Sequence, residues 1–163
     1  MSNAIVVWLK STAVSHAMSM SPVLWPICEM LHFIGLALLI GAAGLIDLRL
    51  MGFLKSVPLT AMMQLRKWAA LGLLINIVTG TLFFIGAPDQ YINNSAWYAK
   101  LVFLAVAMLN VAVFETRHGR RMLTLTANEQ TPASFKVAGA VSIGSWFLVL
   151  YFGRMLPFIG NAF

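Results

Sequence analysis

Residues 25–52 read WPICEMLHFIGLALLIGAAGLIDLRLMG, and the rest of the chain is organised around this stretch. Its middle, residues 33–46, has no charged side chain and predicts a helix that lies in lipid. Glu29 and His32 stand just before this apolar run and are three residues apart, so a helix places them on one face. Ionisable residues within a membrane span are costly, and they therefore mark a candidate functional site.

The composition indicates an integral membrane protein with one domain. The 163 residues are 60% hydrophobic and 10% charged, whereas soluble domains carry about 25% charged residues. The net charge of +6 does not indicate nucleic-acid binding, because the basic residues lie between apolar spans, where topology signals are expected. A single cysteine, Cys28, excludes an intrachain disulfide, a zinc knuckle and covalently attached haem.

Four membrane spans are predicted, and together they give the fold class. The fold is all-α, an integral membrane up-down four-helix bundle, because short connections favour antiparallel neighbours. Prolines are excluded from helix interiors, and all six lie at or outside the span ends. The predicted spans are residues 23–46, 66–86, 97–117 and 137–158.

The chain divides into an N-terminal interfacial segment, residues 1–21, and the bundle, residues 22–163. Ile5, Trp8 and Leu9 share one side of a short amphipathic helix, which is expected to lie in the membrane interface. Lys10 interrupts the apolar run too early for a secretory signal peptide.

The distribution of basic residues predicts the orientation. Eight lie in the loops after spans one and three, and three lie on the opposite side. Cytoplasmic loops carry the excess of Lys and Arg, so both termini are expected on the periplasmic side. The eight are Arg49, Lys55, Arg66, Lys67, Arg117, Arg120, Arg121 and Lys136, and the three are Lys10, Lys100 and Arg154.

Four ionisable residues are predicted at similar depth near the outer face: Glu29, His32, Lys100 and Arg154. They come from three spans, and intramembrane charges tend to pair. We therefore expect Glu29 to pair with Arg154 or Lys100, and His32 to point into the bundle toward a ligand or a polar partner. The alternative is that both cations extend outward to the interface.

A second polar set lies in the inner half of the spans and is expected to serve structure. Interhelical hydrogen bonds explain Asn76, Asn110, Ser142 and Ser145 without a ligand. The charged residues of the inner rim are interpreted as interfacial ion pairs and a topology signal, and they are Asp47, Arg49, Glu115, Arg117 and His118.

His32 is the candidate haem ligand, but the sequence offers it no clear second histidine. His118 is at the opposite edge of the ~30 Å core, too far to share an iron with it. A methionine (Met18, Met20 or Met155), His16 or His32 of a second copy remain as partners. A copper site is a further alternative, because imidazole with soft sulfur suits Cu(I). Its candidate residues are His16, Met18, Met20, Cys28 and His32.

Two segments carry a resemblance to a known family: Glu29-x-x-His32 and Asp47-Leu48-Arg49-Leu50-Met51-Gly52. With Trp25-Pro26, Thr79-Gly80, Leu109-Asn110, Ser145-Trp146 and Gly153-Arg154, the chain resembles a family of small four-helix bacterial inner-membrane proteins of unknown function. The resemblance covers nearly the whole chain. It implies a four-helix fold in a bacterial inner membrane, and it implies no activity.

The leading functional hypothesis is a redox-associated inner-membrane subunit. It contacts haem b or quinone, or anchors a periplasmic electron carrier, since a histidine and a carboxylate at the membrane edge can exchange protons. The rival hypothesis is a non-catalytic structural or assembly subunit. Both imply lipid and other membrane or periplasmic subunits as partners, with no nucleic acid and no enzymatic activity of the chain alone. Transport is disfavoured because four spans without an inverted repeat leave little room for alternating access.

Overall fold

The computed structural model describes residues 2–122 and 124–159, and every regular element in these ranges is an α-helix. Four of the eight helices are long, and four are short. In chain order they are α1 (Ser2–Lys10), α2 (Ala13–Met20), α3 (Leu24–Met51), α4 (Leu59–Met63), α5 (Arg66–Gly86), α6 (Asp89–Ile92), α7 (Ser95–Met122) and α8 (Ala133–Met155).

Four helices are long and apolar enough to cross a membrane: α3, α5 together with α4, α7 and α8. The first predicted span ends at residue 46, but α3 continues through Asp47 and Arg49 to Met51. It ends where Gly52 adopts φ 95, a left-handed conformation that glycine takes without strain.

The long helices pack in a defined order, with α3 against α5 and α8, and α7 against α8. Glycines bring the backbones close together, since a Cβ at Gly72 would lie 2.6 Å from the Gly35 carbonyl oxygen. Likewise, a Cβ at Gly139 of α8 would lie 2.8 Å from the Asp47 carbonyl oxygen. Close approach through small residues is the usual basis of helix association in lipid, where burial of apolar surface provides little drive.

Arg49 joins the two connections at one end of the long helices. It is completely buried, and its Nε donates to the Val57 carbonyl oxygen at 2.6 Å. Its two terminal nitrogens donate to Thr131 Oγ1 at 3.1 Å and to the Thr126 carbonyl oxygen at 3.2 Å. Arg49, which the sequence placed among the interfacial charges, therefore links the loops after α3 and α7. We call this end of the molecule the loop end.

The opposite end, which we call the terminal end, carries the short helices α1, α2 and α6. Thr12 caps α2 by accepting a hydrogen bond from the Ser15 amide. Lys10 at the end of α1 forms an ion pair with Asp89 of α6. Helix α2 packs on α5. A Cβ added to Gly86 would lie 3.0 Å from Met18 Cβ, so the glycine allows α2 to approach α5 closely.

Candidate functional site

A cavity of about 750 Å³ opens between α3, α5, α7 and α8 near the terminal end. Glu29, His32, Lys100 and Arg154 all line it, so the structure brings the four residues of the predicted outer cluster to one cavity. The remaining wall is largely apolar and aromatic, with Trp25, Phe83, Tyr91 and Trp97 among its residues. We refer to it as the terminal-end cavity. Its size lies within the range of small-molecule sites, ~300–1,000 Å³.

His32 is held by a hydrogen bond from α3 to α5. Its Nδ1 lies 2.7 Å from Thr79 Oγ1. The Thr79 hydroxyl donates to the Ile75 carbonyl oxygen at 2.7 Å, so toward the imidazole it acts as the acceptor. The hydrogen-bond network thus assigns the proton of neutral His32 to Nδ1, which leaves Nε2 with a free lone pair. The Phe83 ring packs edge-on against the imidazole, with centroids 5.5 Å apart.

Glu29 does not form the predicted ion pair. Its Oε1 accepts a hydrogen bond from Trp25 Nε1 at 3.2 Å, one turn earlier on α3. Within residues 2–122 and 124–159, neither Lys100 nor Arg154 lies within ion-pair distance of it. The prediction overlooked the indole as a donor four residues away, although that spacing places Trp25 directly beside Glu29 on the helix.

The two cations occupy separate positions on the cavity wall. The Lys100 side chain packs against α8 beside Gly153. A Cβ added to Gly153 would lie 3.6 Å from Lys100 Nζ. That Nζ is also 5.9 Å from the centroid of Trp97. The Arg154 guanidinium is 5.7 Å from the Phe158 ring. Both cations therefore remain available to a polar group in the cavity.

Residues after α5 complete the wall, and the sequence interpretation did not anticipate them. Tyr91 of α6 packs edge-on against Trp97 with centroids 4.9 Å apart. Burial, and secondarily the charge of Glu29, raises the pKa of Tyr91 to about 12. Asn94 anchors this region by donating to the Leu156 carbonyl oxygen at 2.8 Å and accepting from the Ala96 amide. An asparagine just before an apolar helix is a recognisable N-cap signal.

The inner-half polar residues make different contacts from one another. Asn110 Nδ2 donates to the Ala138 carbonyl oxygen of α8 at 3.0 Å, which is an interhelical bond. Asn76 faces Gly35 of α3, but its Nδ2 donates within α5, to the Gly72 carbonyl oxygen at 2.8 Å. The other two residues of this set, Ser142 and Ser145, are buried, and so is Asp47 of the inner rim.

The residues of the copper alternative differ in their surroundings. His16 and Met20 are exposed, whereas Met18 and Cys28 are buried. In the part of the chain that the structure describes, no three His, Cys, Asp or Glu side chains lie together as a metal site. Copper binding stays a prediction from composition.

His32 is the one histidine among the residues that line the terminal-end cavity. His118 lies near the loop end, where its ring packs against Phe114 and Phe135. A haem held by these two histidines therefore has no basis in the structure.

Comparison with known proteins gives one match. A family model described as a family of unknown function, DUF6644, matches residues 4–159. No curated protein and no solved structure matches the chain.

Proposed function

The chain belongs to DUF6644, a family of unknown function, and from this premise we propose that it is a redox-associated subunit that binds quinone in the terminal-end cavity. The chain is not an enzyme on its own; it supplies a binding site within a larger assembly of membrane or periplasmic subunits. The observation that carries the proposal is that Glu29, His32, Lys100 and Arg154, from three helices, line one largely apolar cavity.

The chemistry of the wall suits both ends of a quinone head group. Lys100 and Arg154 are donors for a carbonyl oxygen, and charge-assisted hydrogen bonds of this kind are strong. The free Nε2 of His32 is an acceptor for the hydroxyl of the reduced form. The apolar and aromatic residues around these groups suit the ring and the start of an isoprenoid tail.

Haem b is a weaker candidate than quinone for this cavity. It commonly needs two strong axial ligands, and His32 is the single histidine among the described residues that line the terminal-end cavity. A second ligand would have to come from a methionine, from His16 or from another copy of the chain. The protein could anchor a periplasmic electron carrier with either quinone or haem b bound. In both cases the carrier would dock at the terminal end, next to the cavity.

The proposed setting is the bacterial inner membrane, with an up-down four-helix bundle and both termini on the periplasmic side. Four apolar helices and the eight-to-three distribution of basic residues support this arrangement. In it, α1 and α2 lie in the periplasmic interface, and the terminal-end cavity opens near the periplasmic surface.

Titration with ubiquinone-1, followed by tryptophan fluorescence, tests the proposal. Trp25 and Trp97 line the cavity, and quinones quench indole emission on contact. We expect saturable quenching of the purified protein in lipid nanodiscs. His32→Phe should weaken binding about tenfold, the cost of one lost hydrogen bond of ~1.4 kcal/mol.

His16→Phe is the matched control, because His16 is exposed on α2 and does not line the cavity. It should bind ubiquinone-1 as the wild type does. Quenching that rises linearly with the quinone content of the lipid, or that is equal in both variants, would contradict the proposal. A Soret band in the visible spectrum of the purified protein would favour haem b instead.

The second candidate is a structural or assembly subunit. It is favoured by two polar side chains whose hydrogen bonds join parts of the fold: Asn110 bonds to α8, and Arg49 bonds to both loops. In that case the polar residues stabilise the fold and a docking surface, and the protein is colourless and binds no quinone.

A further inference from the structure

A second cavity, of about 440 Å³, lies near the loop end between the same four long helices. We call it the loop-end cavity. Leu39, Ala107, Trp146 and Val149 pack together as a buried cluster of α3, α7 and α8. Leu39 and Trp146 line the loop-end cavity, whereas Val149 lines the other one, so the two are separate sites.

The lining of the loop-end cavity includes two buried polar atoms without a hydrogen-bond partner in the part of the chain that the structure describes. Asp47 is 6% exposed and Trp146 is 5% exposed. Asp47 Oδ2 and Trp146 Nε1 have no hydrogen-bond partner among the described residues. Both residues line this cavity. An unpaired buried polar group costs about 1–3 kcal/mol, so two in one cavity indicate that something else satisfies them.

The charges around the cavity specify an uncharged occupant. Arg66 Nη2 and Glu115 Oε1 lie 2.9 Å apart and compensate each other. Lys67 also lines the cavity but is exposed, so it does not compensate the buried Asp47. An ammonium group could not accept a hydrogen bond from Trp146 Nε1, and an anion without a hydrogen could not donate one to Asp47 Oδ2, so an uncharged group that both donates and accepts suits the two atoms.

A hydroxyl group fits the two unpaired atoms, because it donates one hydrogen bond and accepts others. It can donate to Asp47 Oδ2 and accept from Trp146 Nε1. The rest of the lining is mainly apolar, including Leu50, Leu73 and Phe114. One water molecule needs only about 10–15 Å³, so a cavity of 440 Å³ would hold many of them. The mainly apolar wall offers these waters few hydrogen-bond partners, and water alone is therefore a poor occupant.

We propose that the loop-end cavity binds an uncharged amphiphile that carries a hydroxyl group on an apolar body, the class of isoprenoid and long-chain alcohols. The hydroxyl lies between Asp47 and Trp146, and the apolar body fills the space between α3, α5 and α7. This site is independent of the quinone site, since the two cavities share no lining residue.

The test uses farnesol as the hydroxyl probe and farnesene as the matched hydrocarbon. We expect farnesol, and not farnesene, to raise the unfolding temperature of the purified wild-type protein. Asp47→Leu and Trp146→Phe should each weaken farnesol binding about tenfold, as the loss of one hydrogen bond predicts. Trp8→Phe, at an exposed position on α1, and Asn76→Leu, outside the cavity, should leave it unchanged.

A photo-crosslinking measurement on the wild type keeps the proposal testable if a variant fails to fold. A diazirine analogue of farnesol should label lining residues such as Ala43, Leu73 and Met108, and excess farnesol should compete where farnesene does not. Labelling confined to the terminal-end cavity or to the outer surface would overturn the proposal. Equal stabilisation by farnesol and farnesene would also overturn the proposal. Stabilisation by neither compound would overturn it as well, and that is the result expected if water alone fills the site.

Discussion

Thr79 Oγ1 on α5 lies 2.7 Å from His32 Nδ1 on α3, and this bond links the candidate site to the contact between α3 and α5. Thr79 is almost fully buried, and its own hydrogen is donated to the Ile75 carbonyl oxygen. The bond therefore fixes both the tautomer and the orientation of the imidazole. His32 can act as an acceptor in the cavity because Thr79 occupies its other nitrogen.

Replacing Thr79 by Val removes this acceptor while keeping the shape of the side chain. We expect quinone affinity to fall several-fold and thermal stability to fall by about 1 kcal/mol, the scale of one interhelical hydrogen bond. Thr81→Val is the control, because the Thr81 hydroxyl donates within α5, to the Ile77 carbonyl oxygen, and does not contact His32. Equal effects of the two substitutions on binding and unfolding would show that His32 does not depend on Thr79.

The contact between α3 and α5 depends on Gly72. A Cβ there would lie 2.6 Å from two backbone atoms, the Gly35 oxygen and the Leu39 nitrogen, which cannot move independently of their helix. Gly72→Ala should therefore destabilise the protein by roughly 1–3 kcal/mol, as overpacking does. Gly41→Ala meets no atom within 4 Å and should stabilise slightly. Thermal unfolding of the two variants checks the difference, and a stable Gly72→Ala protein would contradict the packing.

Arg49 is expected to hold the two loops of the loop end together. Arg49→Met leaves three acceptors without their donor, and we expect a loss of about 3 kcal/mol or more. Trypsin should also cleave the loop at Lys55 faster, because the Val57 anchor is gone. Arg120→Met, at an exposed position, should change stability by less than about 0.5 kcal/mol. If the two variants unfold at similar temperatures and are cleaved by trypsin at similar rates, Arg49 does not hold the loops together.

The proposed orientation is testable by cysteine labelling in cells, in a Cys28→Ala background. A membrane-impermeant maleimide should label Asn93→Cys, in the connection between α6 and α7, and should not label Gln130→Cys, in the loop before α8. Both positions are exposed. Labelling of position 130 and protection of position 93 would reverse the orientation and place the terminal-end cavity near the cytoplasm.

The sequence predicted the long helices well, because apolar runs and proline positions are local signals. The predicted membrane span ended at residue 46, since Asp47 and Arg49 resemble a membrane boundary, whereas the helix itself continues to Met51 and ends at Gly52. Their buried positions depend on loops that fold back over the helix ends. Arg49 as a loop anchor was not predictable, because two of its three acceptors, the Thr126 carbonyl oxygen and Thr131 Oγ1, lie more than seventy residues away in the sequence.

The polar clusters show the same limit at the level of single side chains. Depth along the helices indicated that His32, Glu29 and the two cations lie at one level. Depth does not indicate which neighbour a side chain selects, and Glu29 bonds to Trp25 instead of to a cation. The loop-end cavity was not predicted at all, because an unpaired atom such as Trp146 Nε1 is defined only by the packing around it.

The most direct test of the quinone site is the ligand content of the protein extracted from its own membrane into polymer nanodiscs. The visible spectrum, metal analysis and chromatography of the organic extract should together show about one quinone per chain, no Soret band and no metal. His32→Phe, purified in parallel, should carry several-fold less quinone per chain, as its roughly tenfold weaker binding predicts. A wild-type protein that carries no more quinone than this variant would contradict the account.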